Sequence, residues 1–265
     1  MDVFSMIADS TEQKLTDAAA NALPRWNIGA ADFGIFIALL FSSMVVVSAL
    51  AAKIAHWAVG PTEEGSDPPL IVFLAGNLGT QLGMVAAFAA FILITRHQHQ
   101  ESASRPSQVK SVRRSALIGL KWLAISYPVM IGVNLIWKVV LQGLGFEQVT
   151  QDPIRLVQEG GSLAERTMIY TMIVLVAPVC EELVFRGAIF RFLHHRFPLT
   201  AATAISAALF ALIHFNLYSF APLFVIGVTL ALAYRESGSL LSAVVLHAVF
   251  NTINLFIILL FPDVT

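Results

Sequence analysis

The sequence predicts an all-α fold, a polytopic transmembrane helical bundle of about seven spans, and three observations predict it. Hydrophobic residues make up 57% of the chain and charged residues 12%, with a mean hydropathy of +0.76, values that a water-soluble core does not normally reach. The apolar residues gather into runs of the length, about 20 residues, that a hydrocarbon core about 30 Å thick requires. Charged or Pro/Gly-rich breaks separate those runs. The net charge of −1 argues against a nucleic-acid partner, and Cys180, the single cysteine, rules out an internal disulfide framework.

Residues 1–32 carry Asp2, Asp9, Glu12, Asp17 and Asp32 against Lys14 and Arg25, with no basic region ahead of an apolar core. They are not read as a signal peptide. An interfacial helix and a poorly ordered tail both suit them, and no function is assigned. Residues 33–164 hold the first spans and their loops. Phe33 to Ala52 is uncharged and long enough to span, and the acidic, turn-rich segment Gly60 to Pro69 follows it. Leu70 to Thr95 is the second span. Its Gly79 and Gly83 have the small-xxx-small spacing of close helix packing, and Asn77 and Gln81 lie one turn apart on a neighbouring stripe. Packing is preferred there over a substrate contact.

Arg96 to Lys121 contains Arg96, Arg105, Lys110, Arg113, Arg114 and Lys121 against Glu101 alone, so the positive-inside rule makes this loop cytoplasmic. Trp122 to Trp137 is the core of the third span, with Lys138 snorkelling to the far interface. The more acidic loop Gln142 to Arg166 suits the outer side. Residues 165–261 form the remaining unit. Met168 to Phe197 is a long helix ending in a second basic cluster, Arg191, His194, His195 and Arg196. No charge occurs from Pro198 to Tyr234, and Asn216 to Ser219 with Pro222 divides that stretch into two spans. Arg235 to Gly238 is an inner turn, and Ser239 to Phe261 is the last span. The expected location is an integral protein of the plasma (inner) membrane with its N-terminus cytoplasmic.

Charged and amide side chains interrupt these apolar spans at three places. Near the centre of a lipid-spanning helix each charge costs about 2.5–3.5 kcal/mol on insertion scales, so Glu181, Glu182 and Arg186 need partners inside the bundle. Glu182 and Arg186, four apart with the acid first, suit a structural ion pair. Glu181 then lacks a sequence-local partner, in low-dielectric surroundings that suit general-base work. Phe210 with His214, and His247 with Asn251, repeat the four-residue spacing. The histidines can act as metal ligands, proton carriers or oxyanion donors, and Asn251 offers an amide N–H to developing negative charge. A lone histidine on an apolar face is usually a packing residue. The whole set within membrane helices is hard to explain by packing.

Read together, these residues resemble the CPBP family of intramembrane proteases (CAAX protease and bacteriocin-processing, also called Abi or type 2 CAAX prenyl protease-like). Its motifs Glu-Glu-x-x-x-Arg, Phe-x-x-x-His and His-x-x-x-Asn stand in order as Glu181-Glu182…Arg186, Phe210…His214 and His247…Asn251. The resemblance covers roughly 165–261, and residues 1–164 match only as generic spans. It implies an endopeptidase acting on a membrane-embedded or lipidated peptide or protein in the bilayer. Glu181 would activate the attacking water, His214 and Asn251 would help hold the water and the oxyanion, and His247 would support the site.

The cofactor is left open. A divalent metal such as zinc would take Glu181, His214 and His247 as ligands, but no His-Glu-x-x-His run fixes ligand geometry on one helix. The competing functions are a bacteriocin self-immunity factor and a proton or metal transporter. Internal repeats expected of a transporter are not evident. A Cys180 nucleophile is weaker, because an apolar neighbourhood disfavours the thiolate. Helix rise, counted from turns at Pro198 and Gly238, sets Glu182 level with His214 and requires the fourth–fifth hairpin to project about 10 Å past the last inner turn. On this count Glu181, His214, His247 and Asn251 converge in one cavity toward the cytoplasmic half of the bundle.

Overall fold

The computed structural model describes residues 23, 28–60, 69–99, 111–147, 157 and 161–261. The expectations for residues 1–22 and for the acidic segment at 61–68 lie outside the described residues. Among these residues there are seven helices and no strand. They are α1 (Ala30–Val59), α2 (Leu70–His99), α3 (Val112–Gly143), α4 (Leu163–His194), α5 (Leu199–Leu212), α6 (Leu217–Ser237) and α7 (Leu240–Leu260). Six are long and apolar enough to cross a membrane; α5, at 14 residues, is a shorter apolar helix. The protein is an integral membrane helical bundle. Large apolar side chains such as Val45, Ile94, Ile136 and Val139 lie more than 60% exposed on its outside, as suits a surface solvated by lipid.

Successive helices run antiparallel, which gives the bundle two distinct ends. One end collects the start of α3, the α4–α5 and α6–α7 turns and the start of α1; here Trp122 Nε1–H and the Lys121 ammonium both donate to the Glu236 carboxylate. This is the basic end. At the opposite end Trp137 Nε1–H donates to the Leu217 carbonyl (2.8 Å) and the Tyr218 hydroxyl to the Phe146 carbonyl (2.6 Å), tying α3 to the start of α6.

The α2 glycines are used for close approach. A Cβ on Gly83 would stand 2.5 Å from the Ser43 carbonyl oxygen, and one on Gly79 2.7 Å from that of Val47. No larger residue fits while α1 and α2 keep this contact.

Packing is uneven along the bundle. Phe36, Phe91, Phe185, Phe190, Phe210, Leu230 and Leu246 belong to one buried cluster that fills the half toward the basic end. Among the described residues the other half holds a smaller cluster of Leu74, Val157, Ile169 and Leu255, set around a cavity. The expected projection of the α4–α5 hairpin is present: Gly187 meets Leu240 at the start of α7, and α4 runs on to His194, about 10 Å farther at 1.5 Å per residue. Arg191 is bound to the buried Tyr234, Phe192 stacks on Phe33, and Arg196 donates to the Ile28 carbonyl, so the chain around α1's start wraps this end.

Candidate active site

Three helices, α4, α5 and α7, bring the three motifs together, and α4 is shaped for it. Proline at 178 has no N–H to give. The Ala177 N–H instead donates back to the Met172 carbonyl, closing a wide i→i+5 turn over Met172–Val176. The Ile173 carbonyl is thereby left without a helical donor, and Asn251 Nδ2–H of α7 supplies one at 2.8 Å. One polar side chain of the site is thus fixed by a backbone irregularity that a single proline creates. A second wide turn, Phe185–Phe190, follows the acidic pair.

Glu181 and Glu182 point to different surroundings. Glu182 is fully buried; its Oε1 accepts from Arg186 NH1 at 3.0 Å and from His247 Nδ1 at 2.9 Å. A carboxylate oxygen only accepts, so the Glu182 bond places a proton on Nδ1 of His247. Arg186, also fully buried, donates its NH2 to the Gly227 carbonyl of α6 at 2.8 Å. Its guanidinium lies over the Phe210 ring at 4.7 Å. The local pair expected from sequence is present, but Glu182 has a second partner 65 residues away. That link escapes a search limited to i, i+4 neighbours.

Glu181 faces His247 from the other side. Its Oε2 stands 3.9 Å from His247 Nε2, too far for a hydrogen bond and close enough for one water to bridge both atoms. Phe210, fully buried, is the hub. Its ring meets Phe185, His214 and His247 edge-on at 5.3, 5.1 and 5.7 Å, so both imidazoles flank one benzene ring.

His214 does not sit within a helix, as its spacing from Phe210 suggested. The α5 helix ends at Leu212, and His214 lies in the following turn, where Phe215 adopts φ 48°. The four-residue relation survives as a cap: His214 Nδ1–H donates to the Phe210 carbonyl at 2.8 Å. The carbonyl can only accept, so Nε2 of the neutral ring is left as an acceptor.

Glu181, His214, His247 and Asn251 all line one cavity of about 670 Å³, together with Asn77 and Gln81 of α2 and Asn134 and Lys138 of α3. His194 and His195, part of the basic cluster, are not in its wall. The α2 stripes therefore divide: the glycines pack against α1, and the amides face the cavity. Lys138 joins the wall rather than only snorkelling outward.

His247, seven residues into α7, keeps the reacting groups nearer the basic end, about 10 Å above its turn, while the cavity continues away from them. It extends from Glu181 and His247 past Asn251, Tyr127 and Asn134 to Leu74, Lys138, Ser219 and Ile258, which belong to the end opposite the basic loops. Its body is therefore in the non-basic half. The physical reason is the short α5. Only His214, past its last turn, reaches the wall from that element, so nothing fills the space beyond.

Among the described residues no group of three His, Cys, Asp or Glu side chains is placed to hold a metal ion. Glu181, His214 and His247 are not grouped as a three-ligand site in this geometry; Nδ1 of each histidine is bound to an oxygen of the protein, which leaves Nε2 of each ring free. Cys180 is buried next to Glu181 and is not part of the cavity wall.

Residues 164–253 match the family model of the type II CAAX prenyl endopeptidase Rce1-like domain. The matched segment begins at α4 and ends within α7, and all three motifs fall inside it. No curated protein and no solved structure matches the chain.

Proposed function

With residues 164–253 carrying the Rce1-like endopeptidase domain, we propose that the protein is an intramembrane endopeptidase of the plasma membrane, its N-terminus cytoplasmic. It hydrolyses a peptide bond of a membrane-anchored substrate, lipidated or spanning, by glutamate-activated water. The observation that carries this reading is the 3.9 Å gap between Glu181 Oε2 and His247 Nε2 on the cavity wall.

A water in that gap donates one proton toward Glu181 and the other toward Nε2 of His247. The Glu181 carboxylate takes its proton as the water oxygen attacks the scissile carbonyl carbon. The carbonyl π pair moves to oxygen, giving a tetrahedral oxyanion. Asn251 spends one N–H on Ile173 and donates the other to that oxyanion. His214 Nε2 helps hold the water. Collapse of the intermediate breaks the C–N bond, and Glu181 returns its proton to the leaving amine. Glu182 and Arg186 do not touch the substrate. They hold His247 in the tautomer whose Nε2 accepts, as a carboxylate bound to the far ring nitrogen does in other hydrolases.

The experiment is a comparison of the membrane peptidome of cells expressing the wild type and Glu181→Gln. One or a few membrane-anchored substrates accumulate uncut in the variant. Identical peptidomes, with both proteins folded and abundant, would reject the peptidase reading.

A further inference from the structure

We propose that Gln81 and Asn77 of α2 bind the substrate's main chain beside the scissile bond, and so admit only a peptide that is extended there. The inference rests on the peptidase reading. What it adds is a specificity-determining strip outside the matched segment 164–253 and the backbone conformation that the enzyme accepts.

The first observation is height. Helix α2 packs against the Ala177–Val184 part of α4, and both helices run toward the basic end. Phe36 of α1 lies between Phe88 and Phe91 of α2, at ring-centroid distances of 6.4 and 5.2 Å. Phe33, about one turn nearer the basic end, stacks on Phe192 of α4 at 3.7 Å. These contacts set position 89 of α2 roughly level with position 189 of α4. Eight residues back along each helix, about 12 Å, stand Gln81 and Glu181. Gln81 is thus within about one turn of the general base's height, in the wall of the same cavity. Asn77 follows one turn farther from the basic end.

The second observation is that these amides have bonding capacity to spare. Gln81 Oε1 is buried and has no hydrogen-bond partner among the described residues. An unmet buried acceptor is unfavourable, and if the position served packing alone an apolar side chain of the same shape would serve it better. The terminal amide turns readily about its last torsion, which brings Oε1 round to a peptide N–H in the cavity. Asn77 Nδ2–H donates to the Phe73 carbonyl of its own helix at 3.0 Å. A carboxamide oxygen has two lone pairs, so Asn77 Oδ1 is a second acceptor in the wall.

The third is spacing. Four residues of helix rise about 6 Å, and main-chain groups on one edge of an extended peptide recur every second residue, about 6.6–6.8 Å apart. The two amides therefore meet two successive N–H groups of an extended segment. A helical segment offers neither, because its N–H groups are bonded within the helix. The substrate class is a membrane-anchored peptide unwound at the cut, and the residue whose N–H meets Gln81 is not proline.

The test pairs a change in the enzyme with a change in the peptide. The probe is a pool of N-palmitoylated, fluorogenic decapeptides in proteoliposomes. The peptide cut fastest by the wild type is resynthesised with each main-chain nitrogen methylated in turn. At one position beside the cut, methylation should raise the wild-type KM about 3–10-fold, the loss of one hydrogen bond. The same methylation should leave the KM of Gln81→Leu unchanged, since that enzyme already shows the raised value with the unmethylated peptide. Gln81→Met, close to glutamine in shape and without the amide, takes its place if Gln81→Leu folds poorly. Equal methylation effects in both enzymes, or a wild-type KM in the Gln81 variants, overturn the proposal. Binding is read separately, by fluorescence anisotropy of the same peptides on Glu181→Gln with and without Gln81→Leu. A Kd raised by the same factor in the double variant, with no peptide cut by the wild type, would reject the peptidase reading and leave the binding strip standing. Cleavage with an unchanged Kd would do the opposite.

Discussion

Glu181 and Glu182 are adjacent in sequence and have opposite surroundings, so the same substitution should do different things to them. Glu181→Gln removes the proton acceptor and keeps the shape; turnover of a membrane-anchored peptide in proteoliposomes should fall by about 10²–10⁴-fold, with binding retained. Glu182→Gln strands Arg186 in a fully buried position. Breaking a buried pair on one side costs about 3–5 kcal/mol, so this variant should show a lower melting temperature and yield, and Arg186→Gln the same. Cys180→Ala, which touches no cavity atom, should leave turnover near wild type. Much of this site is legible in the sequence, because charges and amides stand out in apolar helices and because helical spacing pairs Glu182 with Arg186. The Glu182–His247 bond is not legible, since nothing local links α4 to α7.

Helix α2 shows why one element can carry two jobs. Its glycine stripe lets the α1 backbone approach, so Gly83→Ala should lower the melting temperature by separating the two helices. Gln81 is on the cavity stripe. Gln81→Leu should leave the melting temperature unchanged and raise KM by roughly 3–10-fold, the loss of one hydrogen bond of about 1 kcal/mol to the peptide. A fall in kcat with KM unchanged would reject that role. The sequence places both stripes on α2 but does not show which faces what, because small residues and amides both suit helix contacts. The wide turn at Met172–Val176 is hidden for a different reason. Pro178 announces an irregularity, but the donor that repairs it, Asn251, comes from α7. Likewise Phe-x-x-x-His has the same spacing inside a helix and across its end, so the stop of α5 at Leu212 is not evident from the motif.

For the molecule as a whole, helix rise gives the relative heights of residues correctly where they can be checked: Glu182 reaches His247, Phe185 meets Phe210, and the α4–α5 hairpin projects past the α6–α7 turn. It does not give the extent of the cavity beyond them, because rise locates side chains and says nothing of where they leave space. That space exists because α5 is short, and the short helix also acts on the lipid. Fourteen apolar residues span about 21 Å, whereas a bilayer's hydrocarbon is about 30 Å thick. Ile205, Leu212 and Phe215 are exposed along its flank and tip, so the acyl chains touching it must shorten or tilt to meet it. A bilayer around this protein should therefore thin on one side, at His214, which would bring headgroups and water nearer the reacting bond there. Reconstitution into bilayers of increasing acyl length should then slow cleavage without unfolding the protein, since each added methylene makes the thinning costlier to hold.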